Sequence, residues 1–222
     1  MWIAILALVL LPLAGFTQDS DWIPVDSLPP AYARTLRNAA AMLETRDVRL
    51  QLETLQELEI AIAEHDPLTA RAVTPLLVDV ANREHRIVSY PREYMVPPQT
   101  RVAALRMLAG LGGTDAIQQL HDSVLQDGDE SVRAYAALLL AATQPTSESI
   151  DTISTALSRA RALGTFETEV YHYLLALEVI LQDPWVRATQ LMVEELIGIT
   201  GGPYSSRTRN KASMLLELLL DR

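Results

Sequence analysis

One phrase is written twice in this chain. Arg101, Ala104 and Leu108 stand in an R-x-x-A-x-x-x-L pattern, and Arg133, Ala136 and Leu140 repeat it 133 − 101 = 32 residues later. Self-similarity at about thirty residues, built from a helix, a short turn and a second helix, is the signature of an α-solenoid. One helix pair cannot bury its own apolar face, so each unit needs a stacked neighbour. The alanine at the middle of the repeated helix permits close approach, and the leucine fills the space between layers. That pattern predicts an all-α superhelix of about ten antiparallel helices.

Composition agrees. Hydrophobic residues form 49% of the 222, which removes disorder as a description, while aromatics are 5% and glycines nine. Leucine and alanine rank near the top of the helix scale. No run of alternating period two appears, whereas Val48, Leu52, Leu55, Leu58 and Ile62 fall three or four apart. Caps and prolines divide the chain into helices near 30–45, 47–63, 66–85, 98–111, 114–126, 129–143, 146–163, 165–182, 184–199 and 204–221. Asp66-Pro67 and Asp183-Pro184 read as helix starts, with a capping carboxylate before a proline at the first helical position. The connection 86–97 is longer than the others and reads as an irregular loop carrying Tyr90, Arg92 and Tyr94.

The first residues form a separate segment. Trp2 to Phe16 are fifteen uncharged, mostly apolar residues, the length of a signal-peptide core and short of a membrane span. The expected organisation is an export signal over 1–18, an extended lead-in over 19–30 and a repeat domain over 31–222. An exported, periplasmic or secreted protein follows from that reading. Membrane contact follows only if the apolar segment is retained. The absence of cysteine excludes disulfides, thiol catalysis and cysteine-type zinc sites. The net charge of −10 argues against general nucleic-acid binding, which is driven by release of phosphate counterions.

Residues 100–143 resemble HEAT repeats, in the short HEAT-like variety also found in phycobilisome lyases. The matching features are Leu111-Gly-Gly-Thr-Asp-Ala-Ile-Gln-Gln-Leu120, the acidic turn Asp127-Gly-Asp129, and Val132-Arg133 followed by Ala136 and Leu140. The resemblance implies a ladder in which Arg133 pairs with Asp127 or Asp129. It also implies a concave surface made by the second helix of each pair, near 47–63, 98–111, 129–143, 165–182 and 204–221. The flanking units are degenerate, as expected of capping repeats. Tyr171 stands where an arginine is expected.

No catalytic, cofactor or metal site emerges. His65, His85, His121 and His172 are scattered and read as surface helix residues. Glu169-x-x-His172 has the spacing of a di-iron helix but lacks its second copy. Gly110-Leu-Gly112-Gly113 sits where an inter-helix turn belongs. Candidate binding residues are Tyr90, Arg92 and Tyr94 of the loop, and Trp185, which reads first as a packing residue between layers. Arg207, Arg209 and Lys211 join them, because positive charge at a helix start opposes the dipole. The expected function is a non-enzymatic scaffold that binds a protein partner through its concave helices. The alternatives are a lyase-type or glycosylase-type HEAT-like enzyme, or a membrane-anchored envelope component.

Overall fold

Proline opens helices here and glycine closes them. In the computed structural model, Pro98 sits at the first position of a helix that ends where Gly112 and Gly113 take φ values of 69° and 88°. Those left-handed values would strain any residue with a Cβ, so the Gly-Gly pair is the turn that the repeat requires. The structure describes residues 28–64, 67–82, 88–89, 92–93, 96–164 and 167–220. The segment 1–18, most of the lead-in, Asp66, His65, His85, Tyr90 and Tyr94 lie outside them.

Ten helices are described: α1 Pro30–Leu43, α2 Val48–Glu64, α3 Pro67–Asn82, α4 Pro98–Leu111, α5 Thr114–Gln126, α6 Glu130–Thr143, α7 Ser147–Leu163, α8 Glu167–Ile180, α9 Gln190–Thr200 and α10 Ser206–Leu220. The fold class is all-α. Between α3 and α4 the expected irregular loop contains a two-residue antiparallel ladder, with Val88 opposite Glu93 and Ser89 opposite Arg92. Arg92 is thus placed on a short strand, β2 (Arg92–Glu93), paired with β1 (Val88–Ser89).

One boundary differs from expectation. The helix expected at 184–199 begins only at Gln190. Asp183 does cap, but it caps a turn. Its Oδ1 accepts from the Trp185 N–H at 2.9 Å, and its carbonyl accepts from the Val186 N–H at 3.3 Å. Thr189 is the N-cap of α9, accepting from the Met192 N–H at 3.4 Å. An Asp-Pro pair suits a turn start as well as a helix start, and the second capping residue six positions on decides between them.

The chain divides into two compact units, 1–119 and 120–222, with the division inside α5. In the first, α1 packs on α2 and α3, and α4 packs on α2 and α3. In the second, α6 packs on α8 and α8 on α10, while α7 packs on α9; α7 also meets α6 and α8, and α9 meets α10. Within each unit, contacts therefore run both between successive helices and between alternate ones. This is the contact rule of stacked helix pairs, and within each unit the even-numbered helices lie side by side.

The cores lie between the packed helices. Leu43, Leu55, Val73, Leu77, Leu105 and Leu108 are buried in the first unit. Leu140, Ile150, Ile153, Leu157, Leu174, Leu177 and Ile180 are buried in the second. The repeated phrase behaves as its spacing predicts: Ala104 and Ala136 are both fully buried, as are Leu108 and Leu140. Four alanines of α6, Ala134, Ala136, Ala137 and Ala141, are buried, which lets its backbone come close to α8.

Asp129 caps α6, accepting at Oδ1 from the backbone N–H of Ser131 at 2.9 Å and of Val132 at 3.3 Å. Loss of such a cap costs about 1 kcal/mol. Asp129→Ala is expected to lower the unfolding free energy by that amount, read as a lower urea midpoint with the m-value unchanged, while Asp129→Ser stays near wild type.

A polar ladder along the even helices

Within each unit the even-numbered helices are tied together near their N-terminal ends. In the second unit, Arg133 of α6 donates through Nε to Glu169 Oε1 of α8 at 2.7 Å, and the Tyr173 hydroxyl donates to the same oxygen at 2.7 Å. Glu169 is 2% exposed, and its Oε2 is buried with no hydrogen-bond partner. One step along, Glu167 Oε1 of α8 accepts from the Ser205 N–H at 3.1 Å and the Thr208 hydroxyl at 2.6 Å, capping the start of α10. In the first unit the same position is neutral. Thr100 of α4 donates to Gln51 Oε1 of α2 at 2.8 Å, and the Gln51 amide donates to the carbonyl of Thr45 at 2.7 Å.

The expected pairing of Arg133 with the turn acids is corrected by this geometry. Its carboxylate partner is Glu169, one helix further along the stack. Toward the turn, Arg133 Nη1 donates to the main-chain carbonyl of Asp127 at 2.7 Å. Asp129 is occupied as a cap, and Asp127 Oδ1 accepts from the Asp129 N–H at 2.9 Å. The reach back to the turn carbonyl recurs in three helices of this chain. Arg101 Nη1 donates to the Val96 carbonyl at 2.5 Å, and Arg209 Nη1 donates to the Tyr204 carbonyl at 2.7 Å.

Arg209 thus belongs to a third copy of the phrase. Arg209-x-x-Ala212-x-x-x-Leu216 repeats Arg133-x-x-Ala136-x-x-x-Leu140, and Ala212 is fully buried. The signal was present in the sequence and is hidden because one intervening helix, α8, lacks it. In α8 the buried set Glu169, Val170, Tyr173, Leu174 and Leu177 has the spacing of Thr100, Arg101, Ala104, Leu105 and Leu108. Val170 takes the arginine position, and Glu169 beside it receives the arginine of α6.

The other basic candidates are also engaged within the fold. The Arg207 guanidinium lies 4.2 Å from the centroid of the Tyr171 ring, and Lys211 Nζ is 2.5 Å from Glu178 Oε2. Both contacts join α10 to α8. They supply a reason for cations at the start of α10, which was the anomaly in the sequence. Trp185, expected between layers, is instead 89% exposed on the turn after α8. His121, expected at the surface, is buried, with Nδ1 2.7 Å from Thr152 Oγ1 and Nε2 3.3 Å from Gln144 Oε1. His172 is partly exposed, with Nδ1 2.7 Å from the Thr168 carbonyl.

The even-numbered helices of the second unit expose several large apolar side chains. Tyr135 of α6, Val179 of α8, and Met214 and Leu218 of α10 are exposed, and Leu138, Leu139 and Leu175 are half-buried beside them. On α10, Arg207, Lys211, Met214 and Leu218 recur at helical spacing along one stripe, the stripe that meets Tyr171 and Glu178 of α8.

Electrostatics follow the burial. Burial first, and then the Glu169 carboxylate, push the Tyr173 hydroxyl well above its ordinary value of 10.0. The hydrogen bond to Glu169 raises Arg133, and hydrogen bonds from Ser205 and Thr208 lower Glu167. An unfolded tyrosine ionises near pH 10 while folded Tyr173 keeps its proton, so the unfolded state binds fewer protons above that pH. The contribution of Tyr173 is therefore complete below pH 10 and lost as pH rises. Tyr173→Phe is expected to flatten the alkaline decline in urea midpoint, measured from neutral pH upward.

These features define an all-α protein of packed neighbouring helices, with polar links near the N-terminal ends of the even-numbered helices within each unit. Comparison with protein-family models, curated proteins and solved structures finds no match to the chain. Among the described residues no group of three or more His, Asp or Glu side chains is placed to hold a metal, and no helix is long and apolar enough to cross a membrane.

Proposed function

We propose that this chain is an exported HEAT-like repeat scaffold that binds a protein partner, without catalysis, on the outer face of its even-numbered helices. The observation that carries the reading is the set Tyr135, Val179, Met214 and Leu218, four large side chains exposed on three even-numbered helices of the second unit. Large exposed apolar side chains on neighbouring helices favour an interaction surface, and tyrosine and methionine are enriched at such surfaces. The nearby charges Arg207, Lys211 and Glu178 are spent on neighbouring helices, so they shape the face more than they steer a ligand. Glu169, a buried carboxylate near the N-terminal end of α8, is committed to Arg133 and Tyr173, which favours a structural role over an acid–base one. The export element rests on the Trp2–Phe16 run.

The test is crosslinking capture from the native envelope fraction, wild type against Tyr135→Glu/Val179→Glu/Met214→Glu. All three positions are exposed, so thermal stability is expected to hold within about 0.5 kcal/mol per site. A partner captured by wild type and lost from the triple variant supports the reading. Identical capture by both overturns it.

A further inference from the structure

Away from the apolar face, a cleft of about 340 Å³ opens where the C-terminal ends of α7 and α9 meet the start of α8 and the turn before α10. Its walls carry Arg161, Glu167 and Tyr204 together with Gly164, Gly198 and Gly202. Two of the glycines, Gly198 and Gly202, permit close approach. A Cβ on Gly198 would lie 1.4 Å from Arg161 Nη1 and 2.4 Å from its Cζ, so the guanidinium rests directly on the α9 backbone. A Cβ on Gly202 would lie 2.9 Å from the Tyr204 ring.

Both charges in this cleft are fixed in place and only half used. Arg161 Nη1 faces Glu195 Oε2 at 3.3 Å, an ion pair without hydrogen-bond alignment, since that buried oxygen has no hydrogen-bond partner. Glu167 is held through Oε1 alone, by Ser205 and Thr208, and those bonds keep it ionised. Burial pushes the Tyr204 hydroxyl above its ordinary value, with Arg161 opposing the shift and Glu195 and Glu167 adding to it.

From this geometry we infer that the cleft is a binding site for a small zwitterion, a free α-amino acid, with its carboxylate on Arg161 and its ammonium on Glu167. A simple anion would meet Glu167 and Glu195, and a simple cation would meet Arg161. A ligand carrying both charges matches both walls. The volume lies at the small end of ligand pockets, suited to a compact molecule. Arginine's planar fork matches the two oxygens of a carboxylate.

Isothermal titration of the full chain with alanine, propionate and ethylamine tests the assignment. Alanine is expected to bind at roughly millimolar or better, with neither single-charge analogue saturating in that range. Glu167→Gln keeps an acceptor for Ser205 and Thr208, so the fold is retained, and alanine affinity is expected to fall about tenfold or more. Gly198→Ala, which displaces the guanidinium, is expected to abolish binding. Absence of saturable alanine binding overturns the site, as does equal binding of propionate or an unchanged affinity in Glu167→Gln. The Tyr135→Glu/Val179→Glu/Met214→Glu variant retains alanine binding, so failure of the partner surface and failure of this cleft read out separately.

Discussion

Glu169→Ala is expected to destabilise the second unit by about 3–5 kcal/mol, the usual result of removing one member of a buried charge pair. The loss does not equal the strength of the Arg133–Glu169 contact. It arises because Arg133, with 18% of its side chain exposed, keeps its charge, and because the buried Tyr173 hydroxyl loses its acceptor. Glu169→Gln is expected to cost less, about 1–3 kcal/mol, since the amide oxygen still accepts. The informative comparison is the triple variant Arg133→Met/Glu169→Leu/Tyr173→Phe. It removes the desolvation cost together with the bonds, and its urea midpoint is expected near or above wild type. If the triple variant is as unstable as Glu169→Ala, the pair contributes net stability and this account of the ladder fails.

The second large effect concerns size along the repeated helix. Leu140→Ala removes a fully buried side chain and is expected to cost about 2–5 kcal/mol. Ala136→Leu acts in the opposite sense at the fully buried centre of α6, inserting methylenes where it approaches α8, at about 1–3 kcal/mol. Leu108→Ala and Ala104→Leu are expected to behave alike in the first unit, because their burial is the same. Chemical denaturation of the four variants checks this. A stabilising or neutral Ala136→Leu would mean that the helices are not held at alanine distance.

The Arg-x-x-Ala-x-x-x-Leu phrase determined the helix class, the pair-stacking rule and the burial of its own alanine and leucine, because a 3.6-residue period and side-chain volume act locally. Caps and prolines placed nine of the ten helix starts within a few residues. The exception was α9, where Asp183 and Thr189 were competing caps.

What the tertiary structure decided is partnership. Arg133 finds Glu169 from 36 residues away rather than an aspartate in its own turn, Arg207 and Lys211 turn toward α8, and Trp185 faces solvent. An ion pair depends on which helix lies alongside and at what height, and neither quantity has a period that a single strand of text can display. The third copy of the phrase, at Arg209, lay legible throughout; only the stacking of α10 on α8 showed that it was the same device.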